Sequence, residues 1–359
     1  MESNGTILIA GGNEDVVTDR FLSGINLVGG MSENPRVVRA GNFFKILKLA
    51  SGVDAILALS PLGKGYAGYI AAKLYKKGFI IKMDDDYAWR TAIQRRDTYL
   101  LAKDFQNFKR KGKAASIHKR QVGLCAKAQL VIVPSGFMAE MVGGWGVTKD
   151  KIKIIPNLID FGPVETTKEE ARKKIGIPGN VIVSAGPLVA WKGFRMLVKI
   201  MPHLISMNQF FRLVIVGEGS DHKVLHAMVK NFGLEKKVYL VGSKNSEELS
   251  WFLSAADIFI LNSGHEPFPY QTIQAMSSGV PVITTAVGAN PEIIKQGENG
   301  FMIKYNDEFN LIEAIKTVWQ TPELRQRFIE EGRKTVEQFS VEKTIKEITK
   351  TLTASILES

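Results

Sequence analysis

The stretch DIFILNSGHEPFPYQTIQAMSSGVPVITT, residues 257–285, decides how this chain is read. Its ends, IFIL (258–261) and PVITT (281–285), are short β-branched apolar runs, and between them lie a proline-punctuated turn and one helix-length segment. Two near-continuous apolar strands joined through a helix read as neighbours in a parallel sheet covered on both faces. Pro269 suits a helix start, so the helix should begin near Tyr270, with the backbone N–H groups of Tyr270, Gln271 and Thr272 pointing out of its first turn. Glu266 stands just before that turn and Gln274 about one turn deeper. An acid, a helix start and a strand can be ordinary packing, or the lip of a site for a phosphorylated ligand.

Working outward, the same unit recurs along the chain. TILIA (6–10), DAILAL (54–59), FIIKM (79–83), LVIV (130–133) and KIKII (151–155) form one series of strands. VIVSA (181–185), RLVIV (212–216), VYLV (238–241), IFIL, PVITT and FMIK (301–304) form a second, and helix-length segments separate the members of both. Between the series lies a proline- and glycine-bearing stretch with a short charged helix at 168–175, the composition of a linker and a lead-in helix. The expected class is α/β with two similar doubly wound domains, residues 1–160 and 161–336. Residues 337–359 carry apolar residues at helical spacing (Val341, Ile345, Ile348, Leu352) behind a Ser340 cap, a helix that needs a surface to cover and is expected to pack back on the first domain. Ligands of such sheets bind beyond the carboxyl ends of the strands, so the loops there are where chemistry belongs.

Composition narrows the class. With 45% hydrophobic and 23% charged residues the chain is neither disordered nor fibrous. The opening MESNGTILIAGG reads as neither a signal peptide nor a membrane span, and no later run approaches the ~18 apolar residues a span needs. The single Cys125 excludes an internal disulfide and, without a Cys/His cluster at ligand spacing, argues against a structural metal. A cytoplasmic protein is expected. The net charge of +11 is concentrated: Arg90 to Lys127 holds eleven Lys or Arg against Asp97 and Asp104. The segment 97–113 reads as a helix with Leu101, Phe105 and Phe108 on one face and a basic end, either a core-covering helix or, through residues 90–127, a contact for an anionic membrane surface. Nucleic acid is the weakest partner reading, because no recognised binding motif accompanies the charge.

Four loops attract attention besides that around Glu266. Gly11 and Gly12 follow the first strand and would let backbone approach a ligand, although they do not make a GxGxxG fingerprint. Asp84, Asp85 and Asp86 follow the third; they can orient a hydroxyl, bind a metal, or simply cap a helix. After the first strand of the second domain, Gly186 is followed by Lys192 and Gly193 just before a helix start near Phe194. A lysine there opposes the helix dipole unless an anion is bound. Gly217 and Gly219 make a further glycine turn.

Taken in order, GGNE (11–14), the stretch around LVIVPSGF, Gly186 with WKG, VGEGSD and the quoted segment resemble the retaining glycosyltransferases of family 4 along nearly the whole chain. The resemblance implies the GT-B fold, two facing Rossmann-like domains with a cleft between them. It also implies transfer of a sugar, a hexose being the expected group, from a nucleotide diphospho-sugar to a saccharide or lipid-linked acceptor with retention of configuration. Lys192 would neutralise the diphosphate; Gly186, Gly217, Gly219, Val241 and Gly242 would line the nucleotide; Glu266 would hold the donor sugar with the backbone around Phe268, Tyr270, Gln271 and Thr272. Gln274 stands where the family usually has a ribose-binding glutamate, and Gly11, Gly12 and Asp84 to Asp86 would lie on the acceptor side. No cofactor or metal would be needed, since fixed charge and a helix dipole stabilise the leaving group. Pro187 follows Gly186 where the family commonly has a second diphosphate cation, and Arg90 or Arg195 are the candidates to replace it. This departure, with Gln274, motivates a rival reading: a non-catalytic subunit of the same fold that binds a partner or glycan. A nucleotide-sugar epimerase matches the ordered motifs less well.

Overall fold

The computed structural model describes residues 6–10, 36–40, 42–159 and 166–357. Contacts divide the chain into two units, residues 1–160 with 339–359, and residues 161–338. Each is built on a six-stranded sheet in which every pairing is parallel.

In the first unit β1 (Thr6–Ala10), β2 (Arg36–Ala40), β3 (Ala55–Ala58), β4 (Gly78–Lys82), β5 (Leu130–Val133) and β6 (Ile152–Ile154) lie in the order β2-β1-β3-β4-β5-β6. The connections β2 to β3, β3 to β4 and β4 to β5 all step the same way across the sheet. Right-handed crossovers therefore lay the helices Phe43–Ala50, Gly63–Tyr75 and Gly112–Lys127 on one face. The opposite face takes the C-terminal helix Val341–Leu357, whose Ile348 and Leu352 are fully buried against Ile7, Ile9, Leu57, Ile80 and Ile132. Gln129 Nε2 donates to the Ser355 carbonyl at 2.8 Å and Lys153 pairs with Glu347 at 3.2 Å, fixing that helix at two points.

In the second unit β7 (Asn180–Ala185), β8 (Phe211–Val216), β9 (Val238–Leu240), β10 (Ile258–Leu261), β11 (Val282–Thr285) and β12 (Phe301–Ile303) take the order β12-β11-β10-β7-β8-β9. The chain winds outward one way from β7 and the other way from β10, so these adjacent strands flank the point where the winding reverses. Such switch points leave a crevice at the carboxyl edge. At the amino edge Asp257 binds Lys168 and Arg172, each at 2.6 Å, and the Val181 N–H at 2.7 Å, joining the lead-in helix Lys168–Ile175 to β7 and β10.

Every strand expected from the sequence forms within one residue of its expected bounds. β2 was not anticipated; RVVRA offers only two apolar residues between arginines, and its pairing along the whole of β1 supplies what its composition lacks. The segment 97–113 is a correction. Only Ala102–Phe105 is helical, Phe105 is buried, and a new helix starts at Gly112, whose φ of +56° breaks any continuous helix. Gln106 explains the stop: its Nε2 donates to Asp86 at 2.8 Å and its Oε1 accepts from Trp145 Nε1 at 2.9 Å, so the chain is held inward where a helix would carry it on.

Candidate functional site

Two loops flank the switch point of the second unit. The loop after β7 carries Gly186 and, on a 3₁₀ turn Ala190–Lys192, the lysine; the loop after β10 carries Glu266. Lys192 Nζ donates to Glu266 Oε1 at 2.5 Å, the lysine side chain 11% exposed and the carboxylate 2%. The two loops are also joined through backbone, the Gly264 N–H donating to the Trp191 carbonyl at 2.7 Å. Gly193 makes the approach possible: at φ +66° a Cβ there would lie 1.8 Å from the Asn262 carbonyl oxygen. Asn262, missed in the sequence, is buried and holds the register of this junction through the Gly193 carbonyl, at 3.3 Å, and Asn306, at 3.0 Å.

The turns beyond β7, β8 and β9 are stitched in the same manner. The Gly186 N–H donates to Val216, the Leu188 N–H to Glu218 and the Gly217 N–H to Gly242, all at 2.9 Å. Gly217, at φ +146°, packs so closely on Gly186 that a Cβ would meet its carbonyl oxygen at 1.9 Å. Gly186, Gly217, Gly219, Val241 and Gly242 therefore share one edge, beyond the ends of β7, β8 and β9, and all are at least partly accessible.

The helix Tyr270–Ser277 begins directly after Pro269, and no side chain caps it. The Tyr270 N–H is not available as expected, because it donates to the Phe268 carbonyl at 3.0 Å. Phe268 and Tyr270 are buried edge to face, 4.9 Å between centroids, and give the turn an aromatic floor. Thr272 is fully buried with its Oγ1 unpartnered among the described residues, and Gln274 is 4% exposed. Buried polar groups are normally satisfied, so Thr272 marks the helix's first turn as unusual. Of the cations proposed to stand in for the arginine absent at Pro187, Arg195 is committed to Asp221 through Nε (2.8 Å) and Nη2 (2.7 Å), which raises its pKa, and Arg90 reaches Asp85 at 3.9 Å. Among the described residues of the two loops that flank the switch point, Lys192 is the cation paired with Glu266.

In the first unit the three acids after β4 do three different things. Asp84 takes the ammonium of fully buried Lys82, which also donates to Asn157 Oδ1 at 2.5 Å. Asp85 accepts from the Asp86 N–H and remains partly accessible. Asp86 is entirely buried, capping the helix Tyr87–Gln94 through the N–H groups of Ala88 and Trp89 and binding Gln106 and Gln121, each at 2.8 Å. The helix-cap alternative holds for this residue: nothing of Asp86 is left to meet a ligand. Nearby, burial followed by the Arg110 charge lowers the His118 pKa against the opposing pull of Asp86. Burial pushes the Cys125 thiol up to about 12, which keeps it protonated. Gly11 and Gly12 lie outside the described residues. Among the described residues no group of three His, Cys, Asp or Glu side chains is gathered at metal-binding distance.

Residues 167–335 match the family model of glycosyl transferases group 1. The chain is 30% identical to the lipopolysaccharide core biosynthesis glycosyltransferase LpsE of Rhizobium meliloti over 202 residues, 55% of this chain and 56% of that protein. It is 24% identical to an uncharacterized glycosyltransferase of Methanocaldococcus jannaschii over 278 residues, 70% of this chain and 71% of that one. The match thus spans little more than half the length of LpsE. Among solved structures, Anabaena Alr3699/HepE in complex with UDP-glucose superposes with a TM-score of 0.77 at 20% identity, covering 98% of this chain and 100% of that one. Sucrose-phosphate synthase of Thermosynechococcus elongatus does so with 0.77 at 18%, covering 99% of each. Two parallel-sheet α/β units with these neighbours are the GT-B fold.

Proposed function

We propose that the protein is a glycosyltransferase that takes its sugar from a nucleotide diphospho-sugar, bound at the switch point of the second unit, and passes it to a saccharide or lipid-linked acceptor. The observation that carries this is the Lys192–Glu266 pair: two charges from loops on either side of the switch point, nearly buried and held 2.5 Å apart. An ammonium has three donors, so Lys192 keeps two for phosphate oxygens while it holds Glu266. Oε2 of Glu266 is left to accept from a sugar hydroxyl. The uncapped start of Tyr270–Ser277 adds the positive end of a helix, and Gln274 offers an amide oxygen to a ribose hydroxyl.

The finer reading follows the resemblance to family 4: a hexosyl donor, retention and no metal. The bond from the anomeric carbon to the diphosphate oxygen breaks, the acceptor oxygen bonds that carbon from the same face, and the acceptor proton passes to the departing oxygen. Lys192 and the helix end supply the charge a metal would otherwise bring. The acceptor-side residues of this proposal are Gly11, Gly12, Asp84 and Asp85. An anionic membrane surface is a further proposed partner.

The test is calorimetric titration of the protein with UDP, GDP, ADP and CMP in EDTA. Binding of one nucleotide is expected, weakened at least tenfold by Lys192→Ala, a charge-assisted bond being worth about 1.5–3 kcal/mol. Turnover of the matching nucleotide sugar should vanish in Glu266→Ala. A folded protein that binds none of the four favours the non-catalytic subunit, for which Pro187 and the commitment of Arg195 to Asp221 are the specific observations.

A further inference from the structure

The helix Gly63–Tyr75 is built inside out. Its buried face consists of Gly65, Ala67, Gly68, Ala71 and Ala72, small enough that the helix lies directly on the sheet; a Cβ on Gly68 would come within 2.6 Å of the Ala10 Cβ. Its bulky apolar side chains point the other way. Tyr66, Ile70 and Leu74, spaced i, i+4, i+8, form a stripe on the solvent face, with Leu74 63% exposed. A helix of a soluble domain normally puts its bulk inward, so this one has its large hydrophobics where water is.

The neighbouring helices extend the feature. Phe43–Ala50, packed alongside, presents Phe43 and Phe44 edge to face at its start, Phe44 81% exposed. On the other side, Gly112–Lys127 sets Arg120 over the Tyr66 ring and Lys127 over Tyr69 at 5.1 and 5.3 Å. All three helices belong to one layer, whose further helix, Gly136–Gly144, carries the exposed Glu140 at the end next to β6. Lys or Arg occurs in each of the three, and none of them contains an Asp or Glu. Lys76 and Lys77 continue the charge past the end of Gly63–Tyr75.

Exposed aliphatic and aromatic side chains interleaved with cations, without a single acid in these three helices, fit one partner chemistry. A water-soluble protein partner would have to match the apolar stripe and the positive field at once, and an identical copy would bring like charge against like. A bilayer rich in anionic phospholipid offers both parts: acyl chains for Phe44, Ile70 and Leu74, headgroup depth for Tyr66, and negative charge for the lysines, whose long stems reach the headgroups. We propose that the outer face of this three-helix layer is a docking surface for anionic membrane. The surface relocates the membrane contact read from residues 90–127: of that segment only the helix Gly112–Lys127 belongs to the layer, whereas Phe105 and the Arg110 guanidinium are turned inward. The proposal rests on the first unit alone and does not depend on the nucleotide reading of the second.

The test uses the full chain without nucleotide, sedimented with vesicles of pure phosphatidylcholine or of phosphatidylcholine with phosphatidylglycerol, at low and high salt. Binding to the anionic vesicles is expected to exceed that to the neutral ones at least tenfold and to weaken in high salt. The double variant Ile70→Glu with Leu74→Glu, both positions exposed, should lose at least tenfold in vesicle binding while its circular dichroism and melting stay those of the parent. Three outcomes overturn the proposal: no binding to anionic vesicles, equal binding to neutral ones, or binding untouched by the double variant. Light scattering covers the rival occupant, since a dimer that the double variant splits, together with absent vesicle binding, would assign the face to a second copy. Nucleotide titration of the double variant keeps the two readings apart, because its donor affinity should equal the parent's whatever the vesicles show.

Discussion

A single residue pair sets the energetics of the candidate site. Burying an ammonium and a carboxylate costs several kcal/mol each, recovered only while the two stay together, so removing one partner is far more damaging than replacing both. Lys192→Met is expected to destabilise the second unit by about 3–5 kcal/mol, and Lys192→Met with Glu266→Leu by clearly less. Urea unfolding of the parent and the two variants measures this; a double variant as unstable as the single would show that the pair is not the unit of stability. His118 in the first unit gives a pH dependence whose sign is set. Its folded pKa lies below the ordinary 6.5, first through burial and then through Arg110, so the unfolded chain takes up the proton more readily. Its contribution is present above about pH 6.5 and is lost as pH falls below that value. The urea midpoint should therefore drop between pH 7.5 and pH 5.5, and by less in His118→Asn, which cannot titrate. An equal drop in both would assign the dependence elsewhere.

The elements explain why these side chains meet. Helix starts are placed by caps, such as the reciprocal pair of Thr167 with Glu170 before Lys168–Ile175 and Asn245 with Glu248 before Ser246–Ala255. Tyr270–Ser277 lacks such a device, so no side chain covers the N–H groups of its first turn, although that of Tyr270 donates to the Phe268 carbonyl. The junction of the loops after β7 and β10 depends on Gly193, so Gly193→Ala tests it at this scale. The substitution forces a Cβ at positive φ into the Asn262 carbonyl and should cost more than the roughly 1–3 kcal/mol of backbone strain alone. Nucleotide affinity should fall with it, because the Lys192 loop must shift. By contrast Gly123→Ala, in a helix where a Cβ would meet nothing within 4 Å, should be neutral or stabilising in the same thermal melts. Loss of affinity in both would contradict the junction's role.

At the scale of the whole molecule the chain returns to where it started. Val341–Leu357, the last described element, covers the sheet to which the first strand, β1, belongs, with Leu352 fully buried. Leu352→Ala should cost about 2–5 kcal/mol, all of it in the unit of residues 1–160. Limited proteolysis can localise the effect: faster cleavage is expected in the first unit, and faster cleavage of residues 161–338 would show that the helix serves the other. Much of this architecture was legible in the chain. Apolar runs such as IFIL and LVIV can be satisfied only between two covered faces, and Gly186, Lys192 and Glu266 were visible as loop residues after strands. The failures were of one kind. β2 is a strand because it lies along β1, and Phe105 and Phe108 keep a helical spacing although Gln106 is drawn inward by Asp86 and Trp145. Local pattern alone, the alternation of strand and helix and the caps that start them, determined the two α/β units. Tertiary structure decided that Lys192 and Glu266, 74 residues apart, form a hydrogen-bonded ion pair, that Asp86 is a cap, and that Tyr66, Ile70 and Leu74 face outward. The reason is physical: backbone preference and hydrophobic period act over a few residues, whereas burial and charge pairing are properties of neighbours that only the folded chain brings together.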